Sequence, residues 1–124
     1  EELKKSLSSS HIFAYPSIWK ETFCLSLLEA MSAGCLCVHS SLGCLPETSS
    51  NWTMMYPFNE DLGTHENIFY KKLKEAVEIV QLKKTQEHLQ KQKEYVDYFY
   101  NWDSRVKEWT EFLSLMSKNT FSYT

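Results

Sequence analysis

No run of apolar residues in this chain approaches the ~20 that a bilayer-spanning helix needs, so a transmembrane segment within it is excluded. No C-x-x-C pair is present, and the four histidines, at 11, 39, 65 and 88, are scattered, so the usual spacings of a zinc site are missing. The formal charge of −3 offers no general case for nucleic-acid binding. No signal peptide precedes the first apolar run, and no segment repeats another. The four cysteines are read as buried free thiols that behave as small hydrophobes in a reducing compartment. Cys35 and Cys37, one residue apart on an expected strand, are expected to face opposite sides and share no ligand. Asn51-Trp52-Thr53 matches the glycosylation sequon but is incidental without secretion. A cytoplasmic location is expected, with any membrane association left to regions outside the chain.

What is present changes character near residue 60. Before it, short apolar runs alternate with helical patterns: helix over 3–8, strand over 11–15, helix over 24–33, strand over 35–40. Gly34 stops the second helix, and Pro46-Glu47 opens a short third one. Residues 53–58 form a weaker strand, limited by Pro57. Strands alternating with helices imply a parallel sheet with right-handed crossovers. The expected fold is therefore α/β: a partial Rossmann-like parallel sheet of about three strands, followed by C-terminal helices. Residues 1–60 form the strand–helix–strand portion and 61–124 the helical portion of the same domain. In the latter, Leu73, Ala76, Val77 and Val80 are expected to share one face, continued by Leu89, Val96 and Tyr100. The many lysines between 71 and 93, offset by Glu75, Glu78, Glu87 and Glu94, are read as a solvated face rather than an anion-binding one. Trp102, Val106, Trp109, Leu113 and Met116 form a last amphipathic stripe, expected to serve core or interdomain packing.

Two acids bracket the stretch from Glu21 to Glu29, in the order strand, acidic loop, helix with a second acid, glycine stop, strand. In open α/β sheets ligands bind where loops leave the carboxyl ends of strands, which is where this order puts the acids. Thr22, Phe23 and Cys24 are expected in the first helical turn, whose free N–H groups and dipole suit a phosphate or a cluster of hydroxyls. At ~1.5 Å per residue, Glu29 lies about two turns beyond Glu21, roughly the length of a nucleoside. Ionised carboxylates are pure acceptors, matched to the vicinal hydroxyls of a hexose and a ribose. From spacing alone, a capping Glu21 and a solvated Glu29 are the simpler account.

The surrounding residues favour the ligand. Pro16-Ser17, Glu21-Thr22-Phe23, Glu29-Ala30-Met31-Ser32-Ala33-Gly34, Val38, Ser40, Gly43 and Pro46-Glu47 follow one another in an order that resembles the donor-binding half of the family 4 glycosyltransferases. The resemblance covers about residues 2–47. A looser echo in Phe99-Tyr100-Asn101-Trp102-Asp103 and Trp109 is similar to the aromatic segment near the C-terminus of those enzymes. It implies the GT-B fold and transfer of a sugar, of the hexosyl type, from a nucleotide diphosphate sugar to an acceptor hydroxyl with retention. It implies no cofactor or metal.

By this resemblance Glu21, Thr22, Phe23 and Cys24 bind the donor sugar, Glu21 contacting its hydroxyls. The backbone at Phe23, Cys24 and Leu25 faces sugar and diphosphate, and Leu25 and Glu29 bind the nucleotide, Glu29 at the ribose. Many members have glycine where this chain has Cys24, and a further glycine where it has Cys44. A side chain at position 24 is expected to narrow the approach of backbone to ligand. The opening residues read as the tail of a helix, and the chain is expected to be about the last third of a two-domain enzyme, inactive alone. The catalytic basic residues are then expected upstream, and the partners are a nucleotide sugar, an acceptor (glycan, lipid or protein), an N-terminal domain, and no nucleic acid. The alternative is a non-catalytic remnant or interaction subunit that binds nucleotide sugar.

Overall fold

The structure is a computed structural model and describes residues 1–118. Helix α1 (Glu2–Ser8) leads into strand β1 (Ile12–Tyr15), helix α2 (Leu25–Ser32), strand β2 (Leu36–Ser40), helix α3 (Leu45–Ser49) and strand β3 (Met54–Tyr56). Helices α4 (Leu62–Ile79), α5 (Lys83–Phe99) and α6 (Trp102–Lys118) follow. The strands are all parallel, in the order β1-β2-β3, with Ile12 opposite Leu36 and Val38 opposite Met54. This is the expected α/β architecture, a three-stranded parallel sheet followed by helices.

Strand β2 is buried along its whole length because helices cover both faces of the sheet. Its side chains alternate between two cores. Cys35 and Cys37 pack with Leu27, Leu28 and Met31 of α2, Leu45 of α3 and Val96 of α5. Leu36 and Val38 pack on the other side with Tyr56, Ala76, Val80 and Leu89. The two cysteines thus face the same way, contrary to expectation, because positions two apart on a strand share a face. Both thiols are free and their pKa values are raised by burial, which suits their place among hydrocarbon side chains.

Local signals set the element ends. Gly34 adopts φ +82, the Gly34 N–H bonds the Met31 carbonyl at 3.1 Å and the Cys35 N–H bonds the Ala30 carbonyl at 3.0 Å. That pair closes α2 in the Schellman manner, and a glycine suits the left-handed position. Asp61 caps α4, accepting from the Thr64 N–H at 2.8 Å, and this bond lowers its carboxyl pKa.

Two expectations about the helical half change. Leu73, Ala76 and Val80 do turn toward the sheet, but Val77 is 60 % exposed, one position round the helix from Ala76. The α6 stripe does not enter the core of this chain. Trp102 is 84 % and Trp109 60 % exposed, and Val106, Leu113 and Met116 are also in the open.

Candidate functional site

The loop between β1 and α2 leaves the carboxyl end of the sheet, as expected, and carries Glu21. Helix α2 starts later than its pattern suggests. Its first residue is Leu25, so Thr22 and Phe23 belong to the loop and Cys24 is the N-cap. The free N–H groups of the first turn are therefore those of Leu25 and its successors. The cap makes no side-chain hydrogen bond to the Leu25 and Ser26 N–H groups, which are left for another acceptor, while the Leu27 N–H faces the buried Cys24 sulfur.

Cys24 is 1 % exposed and its thiol lies in the core beside Leu27 and Met31. Burial first, and the nearby Glu21 second, push its pKa up to about 11, so it stays a thiol. Its backbone sits at φ −104, a region open to any residue. A side chain here points inward and does not narrow the approach to the loop, which corrects the expectation. Cys44 likewise adopts an ordinary right-handed conformation that requires no glycine.

Gly43 is different. Its φ is +60, and a Cβ there would lie 2.9 Å from the Glu21 carbonyl oxygen and 3.1 Å from its nitrogen. The neighbouring Cys44 N–H donates to the same carbonyl at 3.1 Å. The loop after β2 is thus laid directly on the backbone of Glu21. The Glu21 side chain is held separately by the Tyr15 hydroxyl, which donates to Oε1. Tyr15 ends β1, and its ring stacks on Phe13 at 5.5 Å and 16°. Its bond to Glu21, then burial, raise its pKa to about 12, so it remains a proton donor across the neutral range.

Glu29 stands one turn into α2, four residues after Leu25, so the two share a helix face. Both line a groove of about 810 Å³ between α1, α2 and the end of α5, together with Leu7, Lys93, Asp97 and Tyr100. Because four of the eight steps from Glu21 to Glu29 are loop, the expected two-turn helical separation does not apply. The structure therefore places the candidates in two groups. Leu25 and Glu29 meet in the groove, whereas Glu21, Thr22, Phe23 and Cys24 sit at or beside the loop and are not among its lining residues. Phe23 leans toward Tyr100 at 6.5 Å between ring centres, and Tyr100 also lines the groove.

Four contributors were not singled out by sequence reasoning. Tyr15 holds Glu21, and its only signal is its place one residue before Pro16-Ser17. His39 is fully buried at the end of β2, with Nδ1 2.8 Å from the Ser40 carbonyl and Nε2 2.7 Å from the Thr53 hydroxyl. A carbonyl only accepts, so Nδ1 carries the proton and Nε2 accepts from Thr53. Burial lowers the His39 pKa, keeping the ring neutral. Gln92, buried on α5, donates to the Met31 and Cys35 carbonyls at 3.2 and 3.0 Å, and Lys93 to the Ser32 carbonyl at 2.8 Å. These bonds satisfy the carboxyl end of α2 and fix the helix that carries Glu29.

The family model described as Glycosyl transferases group 1 matches residues 1–95, covering the sheet, α2 and most of α5. The chain belongs to this glycosyltransferase family. Neither the curated proteins nor the solved structures yield a match. Membership makes glycosyl transfer, between a sugar donor and an acceptor in general, the chemistry to which these residues belong. No helix among the described residues is long and apolar enough to cross a membrane.

Proposed function

We propose that this glycosyltransferase chain forms the donor-binding part of a retaining enzyme of the family 4 type, which moves a hexosyl group from a nucleotide diphosphate sugar to an acceptor hydroxyl. The observation that carries this reading is the fixing of Glu21 at the carboxyl end of the sheet, beside a helix N-terminus whose cap makes no side-chain bond to the Leu25 and Ser26 N–H groups. Glu21 accepts hydrogen bonds from the transferred sugar, with Thr22 and Phe23 around it and Cys24 shaping the loop from beneath. The first N–H groups of α2, those of Leu25 and Ser26, take the diphosphate. Glu29 accepts from the ribose hydroxyls in the groove, where the apolar side chains of Leu7 and Leu25 flank the nucleoside.

Charge develops on the departing diphosphate, and fixed donors aimed at it lower the barrier without reorganising. In this reading no resident metal takes part, and the cations that assist, with the acceptor surface, come from chain outside residues 1–124. The free thiols fit a reducing, cytoplasmic setting. A non-catalytic subunit built on the same pocket would bind the nucleotide sugar without transferring it.

Calorimetry with UDP, GDP and ADP in turn tests the nucleotide site. A hydrogen bond to a charged group contributes about 1.5–3 kcal/mol, so Glu29→Gln is expected to weaken the bound nucleotide at least about tenfold. Unchanged affinity in a folded variant removes Glu29 from the site.

A further inference from the structure

Tyr15 does more than end a strand. Glu21 Oε1 accepts the Tyr15 hydroxyl and the Cys24 thiol lies beside the same carboxylate, so the carboxylate is held by two neighbours while keeping lone pairs for a ligand. The ring that carries the hydroxyl is itself immobilised, stacked on Phe13 and fixed to a strand paired residue by residue with β2, Tyr15 opposite His39. On the backbone side the Glu21 loop is fixed by the close approach of Gly43 and the Cys44 N–H. Side chain and backbone are thus restrained by separate elements, β1 and the loop after β2.

We propose that Tyr15 is a positioning residue that holds the Glu21 carboxylate in one rotamer and thereby sets its hydrogen bond to the hydroxyls of the donor sugar. This rests on the donor-site reading of Glu21. A free glutamate loses rotamer freedom when it engages a ligand, and a prior bond from Tyr15 removes that cost before binding. The hydroxyl keeps its proton across the working range, so the restraint is permanent rather than switched by pH near neutrality. Ser17, Cys24 and Glu21 are the polar groups around it.

Tyr15→Phe removes the hydroxyl and keeps the stacking ring. The test uses the intact transferase with UDP-, GDP- and ADP-glucose in turn, following nucleoside diphosphate release, in the wild type, Tyr15→Phe, Glu21→Ala and the double variant. The expected result is a drop in kcat/KM of about tenfold for Tyr15→Phe, unchanged affinity for the nucleoside diphosphate alone, and no further drop when Tyr15→Phe is added to Glu21→Ala. Wild-type turnover in Tyr15→Phe beside an impaired Glu21→Ala overturns the inference and leaves the donor reading standing. So does an equal fold loss from Tyr15→Phe in both backgrounds, which makes Tyr15 independent of Glu21. Full activity in Glu21→Ala overturns the donor reading and this inference together. Alkaline titration of ring-carbon-labelled tyrosine by NMR separates those failures. A Tyr15 that titrates late in the wild type and at a clearly lower pH in Glu21→Ala, burial still holding it above a free tyrosine, establishes the contact, whatever the activity.

Discussion

Glu21 is held where three unlike residues meet it: a tyrosine from β1, a glycine from the loop after β2, and the buried thiol of Cys24. Gly43 has the narrowest tolerance. An alanine there is strained at φ +60, and its Cβ would have to push a backbone carbonyl away from 2.9 Å. Gly43→Ala is therefore expected to lower stability by about 1–3 kcal/mol, the usual range for such a backbone position. It should also shift the loop that carries Glu21. Urea denaturation reads the first effect and the amide spectrum of residues 20–24 the second. An unchanged midpoint and spectrum would mean that the loop after β2 does not rest on Glu21. Glu21 was singled out in the sequence by the ordered residues around it, from Pro16-Ser17 to Pro46-Glu47, and not by its spacing to Glu29. Its partners were not: Tyr15, six residues earlier, and Gly43, on another loop, are brought to it by the sheet.

At the scale of elements, α2 is the piece that positions the site, and α5 grips it. Helix α2 buries Leu27, Leu28, Ala30 and Met31 against β2, and each fully buried large side chain is worth about 1.5–3 kcal/mol. Its carboxyl end is stitched to α5 by Gln92 and Lys93. Replacing Gln92 by Leu removes these donors from the buried Met31 and Cys35 carbonyls, of which Met31 keeps its bond from the Gly34 N–H, at a cost of about 1–3 kcal/mol. Gln92→Leu is expected to lower the thermal midpoint and to loosen amide-exchange protection at the end of α2. Equal protection in variant and wild type would assign the grip to apolar packing alone. The order of helices and strands was readable from periodicity, from the stop at Gly34 and from the helix start at Pro46-Glu47. Gln92 was not, since it lies in a run of lysine, glutamine and glutamate that reads as one solvated face. The start of α2 moved from Cys24 to Leu25 because the Cys24 backbone is extended, at φ −104 and ψ 90, which makes it the cap rather than the first helical residue.

For the whole molecule, two kinds of surface stay uncovered among the described residues. Strands β1 and β3 each pair only with β2, and α6 displays Trp102, Val106, Trp109, Leu113 and Met116 to solvent. The amphipathic stripe of α6 was evident in the sequence, but its covering surface depends on chain that periodicity does not describe. Apolar stripes and open strand edges favour association. Residues 1–124 expressed alone are expected to self-associate in sedimentation, and Trp109→Gln with Leu113→Gln to shift the population toward monomer. A wild-type chain that is monomeric at high concentration would show that neither surface needs a partner.

The central claim is that a nucleotide sugar lies across the start of α2, between Glu21 and Glu29. Amide chemical-shift mapping with UDP-glucose, GDP-mannose and ADP-glucose, each added in turn to the intact transferase, tests it most directly. The account predicts that a binding donor moves the amides of Thr22 to Leu27 and of Glu29, and that the same compound without its sugar moves Leu25 to Glu29 but spares Thr22. Saturable binding that leaves the start of α2 untouched and shifts another part of the sheet or helices would contradict it.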